Sequence, residues 1–285
     1  MSKDKRSHHD MGGQPAGKVE PTEHDYAEWE RRVDAMAVLL WGQKGGRRLM
    51  TVDNHRKNIE ALAPGDYDKL SYYEKWVAST AETLVERGVV SAEDLGEYRP
   101  LQMMEGRLRE VLIGKGILTQ QAIDAEVEAM RGRTPERGAR VVARAWLDED
   151  FRKSLLQNGT AACESLGLDL PSLKLVVVEN TPRVHNVIVC TLCSCYPRML
   201  LGIPPDWYKS FAYRSRMVKE PRKVLAEFGL KIEEDVALRI HDSTADMRYM
   251  VLPMRPAGTE GWDEARLAGI VTRNCMIGVD VPKVA

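Results

Sequence analysis

The sequence predicts an α+β fold, with an all-helical first domain over residues 1–100 and a mixed second domain over residues 101–285. Two observations predict this division. Apolar residues recur at helical spacing in the first hundred residues, whereas short β-branched runs follow Pro171. A polar stretch ending at Pro100 separates the two patterns. A chain of 285 residues has room for two units of about 100–200 residues.

The first domain is predicted to begin with a polar, extended arm over residues 1–21 and to continue as helices. The expected helices are one capped by Thr22 and Asp25 and carrying Trp29, Val33, Met36 and Leu40, one from Asn54 to Leu62, and one from Ser71 to Gly88. The third has the clearest start, because a serine three residues before a glutamate can form a capping box with it.

The second domain is predicted to start with helices and to change to strands after Pro171. The expected elements are a helical hairpin from Leu108 to Met130, helices over Ala139–Trp146, Asp150–Gln157 and Val218–Phe228, and strands over Leu175–Val178, Val187–Val189, Ala237–Ile240 and Arg248–Leu252. Helices and strands in separate runs are typical of an α+β domain.

Bulk composition excludes several classes of function. Lys and Arg total 41 against 42 for Asp and Glu, so the net charge of −1 gives no general attraction to nucleic acid or to a membrane surface. No apolar run approaches a membrane span and the first residues lack a signal peptide, so a cytoplasmic protein is expected. Cys163 and Cys275 are then expected to be lone thiols.

Three of the five cysteines, Cys190, Cys193 and Cys195, lie within six residues directly after a predicted strand. A disulfide between Cys193 and Cys195 is disfavoured because their spacing does not suit disulfide geometry. Thiolates favour zinc, copper(I), iron–sulfur clusters and low-spin cobalt or iron. A structural zinc site would need a second pair of ligands, which the sequence does not offer at a comparable spacing. A thioredoxin-like redox pair of Cys190 and Cys193 would leave Cys195 without a role. The Cys-Ser-Cys tripeptide suggests a claw, in which sulfurs and backbone nitrogens bind one metal.

The loop Cys190–Pro197 resembles the metal-binding loop of nitrile hydratase α subunits. The resemblance covers about residues 105–280 and includes Gly202–Pro205, Tyr213–Arg216, Glu220–Arg222, Arg255–Trp262, Val271–Arg273 and Met276–Val279. It implies a layered α-β-β-α domain and a low-spin, non-corrin Co(III) or Fe(III). It also implies that the metal ligands are the sulfurs of Cys190, Cys193 and Cys195 and the backbone amides of Ser194 and Cys195. Thr191 and Tyr196 follow the cobalt-type loop, which favours cobalt over iron.

Family members carry the residues equivalent to Cys193 and Cys195 as sulfinic and sulfenic acids, so the resemblance implies both modifications here. The metal is then expected to polarise a bound nitrile or to activate water, and either a hydroxide or the Cys195 sulfenate is expected to attack the nitrile carbon. Ser194 is expected to act through its backbone amide rather than as a nucleophile, since no histidine lies near it in sequence.

The first domain resembles the helical N-terminal half of the nitrile hydratase β subunit, so the chain resembles a fusion of part of β with α. The motifs are His9–Gly13, His55–Glu60 and Ser71–Trp76. The resemblance implies that Arg56 contacts the oxidised cysteines, that Tyr72 hydrogen-bonds near the claw, and that Trp76 lines the substrate pocket. For each residue the alternative is an ordinary solvated or core position. The β-subunit barrel has no counterpart, so a separate barrel-type chain and a hetero-oligomer are expected.

Arg198 stands where cobalt-type nitrile hydratases usually have tryptophan, and it resembles the γ subunit of the sister family, thiocyanate hydrolase. An arginine at the pocket would attract a small anion. Nitrile hydration is therefore the first prediction and thiocyanate hydrolysis the second. A third alternative is a non-catalytic assembly subunit, because activators of the family resemble the β N-terminal half and escort the cobalt-loaded α subunit. An activator or metallochaperone is also a possible partner.

Overall fold

The structure is a computed structural model that describes residues 8–42, 48–96, 101–170, 174–192, 194–244 and 246–284. The chain divides into two compact units. The helical unit comprises Met1–His9 and His24–Gly132, and the mixed unit comprises Asp10–Glu23 and Arg133–Ala285. The domain boundary near residue 100 stays a prediction, and residues 97–100 lie outside the described part of the chain.

In its described residues the helical unit contains the three helices predicted for the first domain, the two of the predicted hairpin, and two further short helices. They are α1 (Glu28–Leu40), α2 (Val52–Glu60), α3 (Pro64–Lys69), α4 (Tyr72–Glu86), α5 (Ala92–Leu95), α6 (Leu101–Gly114) and α7 (Gln120–Arg131). The pair α6 and α7 is the hairpin expected between Leu108 and Met130. Helix α1 packs against α4, α6 and α7, and α2 packs along α4.

One predicted helix start is confirmed and another is wrong. Ser71 caps α4 through a capping box, in which its Oγ accepts from the Glu74 N–H at 3.4 Å and Glu74 Oε2 accepts from the Ser71 N–H at 2.8 Å. Thr22 does not cap α1, which begins at Glu28. Ala27 occupies the cap position, and the Glu30 carboxylate satisfies the Ala27 N–H at 2.8 Å.

The mixed unit combines four strands with short helices. Its elements are α8 (Pro135–Leu147), α9 (Glu149–Gln157), α10 (Gly159–Ser165), β1 (Lys174–Glu179), β2 (Val184–Val189), α11 (Arg198–Leu201), α12 (Asp206–Lys209), α13 (Phe211–Arg216), α14 (Pro221–Glu227), β3 (Ala237–Asp242), β4 (Met247–Leu252), α15 (Glu264–Ala268) and α16 (Arg273–Ile277). All four predicted strands are present, which confirms the α+β class.

The strands of the mixed unit pair in parallel across long sequence separations. Strand β1 pairs with β4, and β2 pairs with β3. The β-branched residues of β2 are buried in the core, with Val187, Ile188 and Val189 fully covered. Val189 and Asp242 are register partners at the carboxyl ends of β2 and β3, so the residues that follow both strands meet at one edge.

Within the described residues, no helix is both long enough and apolar enough to cross a lipid bilayer.

Candidate metal centre

The predicted metal loop, Cys190–Cys195, leaves the carboxyl end of β2, and a carboxylate from β3 holds its first turn. Asp242 accepts two hydrogen bonds from Thr191, one from its backbone N–H at 3.0 Å and one from its Oγ1 at 2.6 Å. Burial raises the pKa of Asp242, and the two hydrogen bonds from Thr191 oppose that rise. The loop is thus tied to the neighbouring strand at its second residue.

A buried arginine on α13 holds the same turn from another side. The Arg214 side chain is only 6% exposed; its Nε donates to the Cys190 carbonyl at 3.1 Å and its Nη2 to the Thr191 carbonyl at 3.0 Å. Hydrogen bonds from a charged donor are stronger than neutral ones. One guanidinium therefore fixes two consecutive peptide groups of the metal loop.

Two tyrosine hydroxyls fix carbonyl groups at either end of the loop. Tyr208 on α12 donates to the Cys195 carbonyl at 2.8 Å, and Tyr213 on α13 donates to the Ile188 carbonyl at 2.7 Å. Burial raises the pKa of both phenols well above their usual value, so both hydroxyls keep the protons that they donate. The backbone is consequently held at Ile188, before the loop, and at Cys195, the last residue of the loop.

Ser194 has the one left-handed backbone conformation among the non-glycine residues that the structure describes, with φ of 69°. A residue with a side chain in this region costs about 1–3 kcal/mol, and such strain is concentrated at functional sites. Ser194 is also 5% exposed, so the strained peptide is buried between two predicted sulfur ligands. The claw prediction assigns a backbone ligand to this residue.

The described part of the loop fits a metal with sulfur and backbone nitrogen ligands. Cys190 is fully buried and Cys195 is 8% exposed, so both cysteines are covered within the mixed unit. Cys193, the third predicted sulfur ligand, lies outside the described residues. In the part of the chain that the structure describes, no group of three His, Cys, Asp or Glu side chains forms an alternative metal site.

Arg198 lies directly after the loop, at the first residue of α11. Its backbone N–H donates to the Tyr196 carbonyl at 2.8 Å, and its side chain is half-buried. The residue predicted to distinguish nitriles from thiocyanate is therefore in the mixed unit, three residues beyond Cys195.

The remaining predicted site residues, Arg56, Tyr72 and Trp76, belong to the helical unit. Tyr72 and Trp76 lie one turn apart on α4, with ring centroids 5.3 Å apart. Arg56 on α2 is within 3.5 Å of the Glu60 carboxylate, an ion pair that a plain helical surface also provides. Their roles at the metal remain predictions.

Cys163 and Cys275 are buried and free, as expected for lone thiols. Burial raises the pKa of Cys163 to about 12. Burial also raises the pKa of Cys275, against an opposing hydrogen bond from Thr272. Neither thiol is therefore poised as a thiolate in the metal-free chain.

Sequence reasoning missed the side chains that hold the loop, Arg214, Asp242 and Tyr208. Asp242 had a weak signal, because it lies two residues after the predicted strand Ala237–Ile240, but nothing in the sequence shows that this strand pairs with the one before the cysteines. Arg214 and Tyr208 come from short helices that no hydrophobic periodicity marked.

Comparisons with known proteins agree with this geometry. Residues 99–280 match the family described as nitrile hydratase, alpha chain, and residues 6–110 match the one described as nitrile hydratase beta subunit, N-terminal. The α subunit of the low-molecular weight cobalt-containing nitrile hydratase of Rhodococcus rhodochrous is 50% identical over 177 residues, covering 61% of this chain and 86% of the relative.

Relatives of a second activity and of a second metal type were also found. The thiocyanate hydrolase γ subunit of Thiobacillus thioparus is 42% identical over 199 residues, covering 66% of this chain and 82% of the relative. A double mutant of the Fe-type nitrile hydratase from Comamonas testosteroni Ni1 has a similar structure, with a TM-score of 0.62 and 44% identity, covering 66% of this chain and 92% of that one.

Proposed function

Because this chain belongs to the nitrile hydratase α chain family, with more than half of its length matched, we propose that it hydrates nitriles to amides. One water adds across the carbon–nitrogen triple bond, and no other product forms. The observation that carries the proposal is the buried metal loop, in which a strained Ser194 lies beside Cys195 and Arg214 and Asp242 hold the first turn.

Cobalt(III) without a corrin is the proposed metal, held by the sulfurs of Cys190, Cys193 and Cys195 and by the backbone nitrogens of Ser194 and Cys195. Thr191 and Tyr196 in the loop support cobalt, and so does the cobalt-containing relative from Rhodococcus rhodochrous. The Fe-type neighbour keeps iron as the alternative. The bound ion supplies Lewis acidity, which polarises a nitrile or activates water.

Residues of the chain supply orientation and charge balance. Arg214, Asp242 and Tyr208 hold the loop backbone, so the ligand atoms do not have to reorganise when substrate binds. Cys193 as a sulfinate and Cys195 as a sulfenate would add negative oxygens to the site. We assign Arg56 to those oxygens as a cationic donor.

The substrate pocket is proposed to use residues of the helical unit. The Tyr72 hydroxyl would act as a hydrogen-bond donor beside the metal, and Trp76 would form an apolar wall. Their close ring contact on α4 supports a joint role, because each ring limits the movement of the other.

We assign the chain to a hetero-oligomer in which a β-subunit N-terminal part precedes an α part, with the two parts meeting near residue 100. The two family matches overlap over residues 99–110, which supports a fusion there. A separate barrel-type chain would complete the site, and an activator or metallochaperone would load the metal. A purely structural assembly role is less well supported, since an escort subunit does not need a strained, buried cysteine loop.

Thiocyanate hydrolysis is the second candidate, and Arg198 favours it. A guanidinium half-buried three residues beyond Cys195 provides a positive charge for a small anion. In that reaction thiocyanate and two waters give carbonyl sulfide, ammonia and hydroxide. The relative from Thiobacillus thioparus supports this alternative at a lower identity than the cobalt nitrile hydratase relative.

Parallel assays on the assembled enzyme separate these activities. The chain is co-expressed with a barrel-type β chain in cobalt medium, and nitrile and thiocyanate are supplied separately. Amide from the nitrile alone supports hydration, and carbonyl sulfide from thiocyanate alone assigns the second activity. Metal analysis should give about one cobalt per chain, and peptide mass spectra should add three oxygen atoms across Cys193 and Cys195. Zinc alone with unmodified thiols would contradict both activities.

A further inference from the structure

A segment from the start of the chain, Asp10–Glu23, packs within the mixed unit, and we call it the arm. Val19 of the arm is fully buried in the hydrophobic core of this unit, and its backbone N–H donates to Glu227 Oε2 at 2.8 Å. The Glu23 carboxylate pairs with Arg273 at the other end of the arm. The arm is therefore an integral part of the unit that carries the cysteines.

Three consecutive residues of α13 connect the arm to the metal loop. Arg214 donates to the Cys190 and Thr191 carbonyls, as described above. The next carbonyl, that of Ser215, accepts from the Gly13 N–H at 2.7 Å. Arg216 then donates to the Gly17 carbonyl at 2.8 Å. Any shift of the arm is consequently transmitted to the helix that fixes the loop.

The arm also comes close to the loop at Gly12. A methyl group added at Gly12 would lie 3.6 Å from both Cβ and Cγ2 of Thr191, which is ordinary van der Waals contact. Thr191 has little freedom to retreat, because Asp242 holds its hydroxyl and its N–H while Arg214 holds its carbonyl. A side chain larger than methyl at residue 12 must displace Thr191 or the arm.

We propose that the arm is a positioning element of the metal loop, and that Gly12 is the position where it comes close to Thr191. The arm keeps the turn Cys190–Thr191 against Asp242 and Arg214, so that the loop holds its ligand geometry before and after metal binding. This proposal rests on the proposed metal-binding function of the loop, but its first test uses the metal-free chain.

A matched pair of substitutions tests the role of the arm. Gly12→Leu places a branched side chain against Thr191, whereas Gly17→Leu places the same side chain on the same arm in open space, with no atom within 4 Å of the added Cβ. Gly12→Ala is the conservative variant, since its methyl group fits. The full-length metal-free chain is treated with a thiol reagent, and labelling at Cys190 and Cys195 is followed by peptide mass spectrometry.

We expect Gly12→Leu to raise the labelling rate of Cys190 and Cys195 about tenfold or more, with Gly17→Leu and Gly12→Ala within about twofold of the parent. In the cobalt-loaded assembly, Gly12→Leu should also shift the sulfur-to-metal absorption band and release cobalt about 10–100-fold faster. Equal labelling for both leucine variants overturns the proposal, whatever the enzyme's activity.

Unfolding curves distinguish positioning from a general loss of structure. Gly17→Leu should unfold at the denaturant concentration of the parent chain and Gly12→Leu at a slightly lower one, because only Gly12→Leu disturbs the hydrogen bonds that Thr191 makes. If Gly12→Leu does not fold, the smaller Gly12→Val is used in its place with Gly17→Val as its control. If the labelling rate of the cysteines rises in proportion to the loss of stability in the variants at both residue 12 and residue 17, a specific role for Gly12 is rejected.

Discussion

Gly278→Ala should strongly destabilise the mixed unit, because Gly278 combines a left-handed backbone with a very close approach to β2. Its φ is 93°, and an added Cβ would lie 2.1 Å from the Asn186 carbonyl oxygen and 2.9 Å from the Val187 Cα. Both neighbours are backbone atoms of β2, so no side-chain rotation relieves the overlap. The Gly278 carbonyl also accepts from His185 Nε2 at 2.7 Å.

The expected cost is the sum of two effects. A non-glycine residue in the left-handed region costs about 1–2 kcal/mol. Moving packed backbone to remove the overlap costs about 1–3 kcal/mol more, by analogy with overpacked cores. The free energy of unfolding should therefore fall by about 2–5 kcal/mol. For a unit of this size, each kcal/mol lowers the melting temperature by roughly 2–4 °C.

Gly258→Ala is the matched control, measured by urea unfolding and thermal melting of the full chain. Gly258 has a φ of 80° but no atom within 4 Å of an added Cβ, so its alanine variant should lose only the backbone term, about 1–2 kcal/mol. The difference between the variants isolates the close approach to β2. If both variants lose the same free energy within about 0.5 kcal/mol, the reasoning from backbone contact is wrong.

Three further predictions follow from single contacts. Tyr208→Phe removes the hydrogen bond to the Cys195 carbonyl and should lower the free energy of unfolding by about 1 kcal/mol. It should also speed the release of metal to a chelator, and an unchanged release rate would show that the bond does not support the loop. Ser71→Ala removes the N-cap of α4 and should cost about 1 kcal/mol in urea unfolding, whereas Ser71→Asp should retain most of it. Burial lowers the pKa of His185 in the folded state, so the unfolded chain binds a proton at a higher pH than the folded chain does. The free energy of unfolding should therefore fall below a pH of about 6.5, by up to about 1.4 kcal/mol per pH unit. A His185→Gln variant with the same pH slope would contradict this assignment.

The sequence predicted those elements that carry a local signal. The capping-box pattern of Ser71 and Glu74 predicts α4, and the structure has that box. The β-branched run predicts β2, and the structure buries that run. The start of α1 was wrong because Thr22 and Asp25 have the composition of a cap, while Glu30 supplies the actual backbone acceptor. A local pattern cannot choose between two possible starts of a helix when only contacts in the folded structure distinguish them.

The candidate site shows the same limit. Cys190 and Cys195 were identifiable from spacing, because their role depends on residues close in sequence. Arg214 and Asp242 act on the loop from 23 and 51 residues away, and only strand pairing and helix packing bring them there. Gly12 is more distant still, and a glycine in a polar arm has no sequence signal for contact with Thr191.

The parallel pairing of β2 with β3 also determines when the metal loop can take shape during synthesis. The cysteines leave the ribosome well before Arg214 and Asp242, the two side chains that hold the first turn of the loop. Parallel strands form late because a long intervening segment must close first. A nascent chain that ends soon after Cys195 therefore has the thiols but not their supports. If the loop binds metal as proposed, its supports are complete only after β3 has docked against β2.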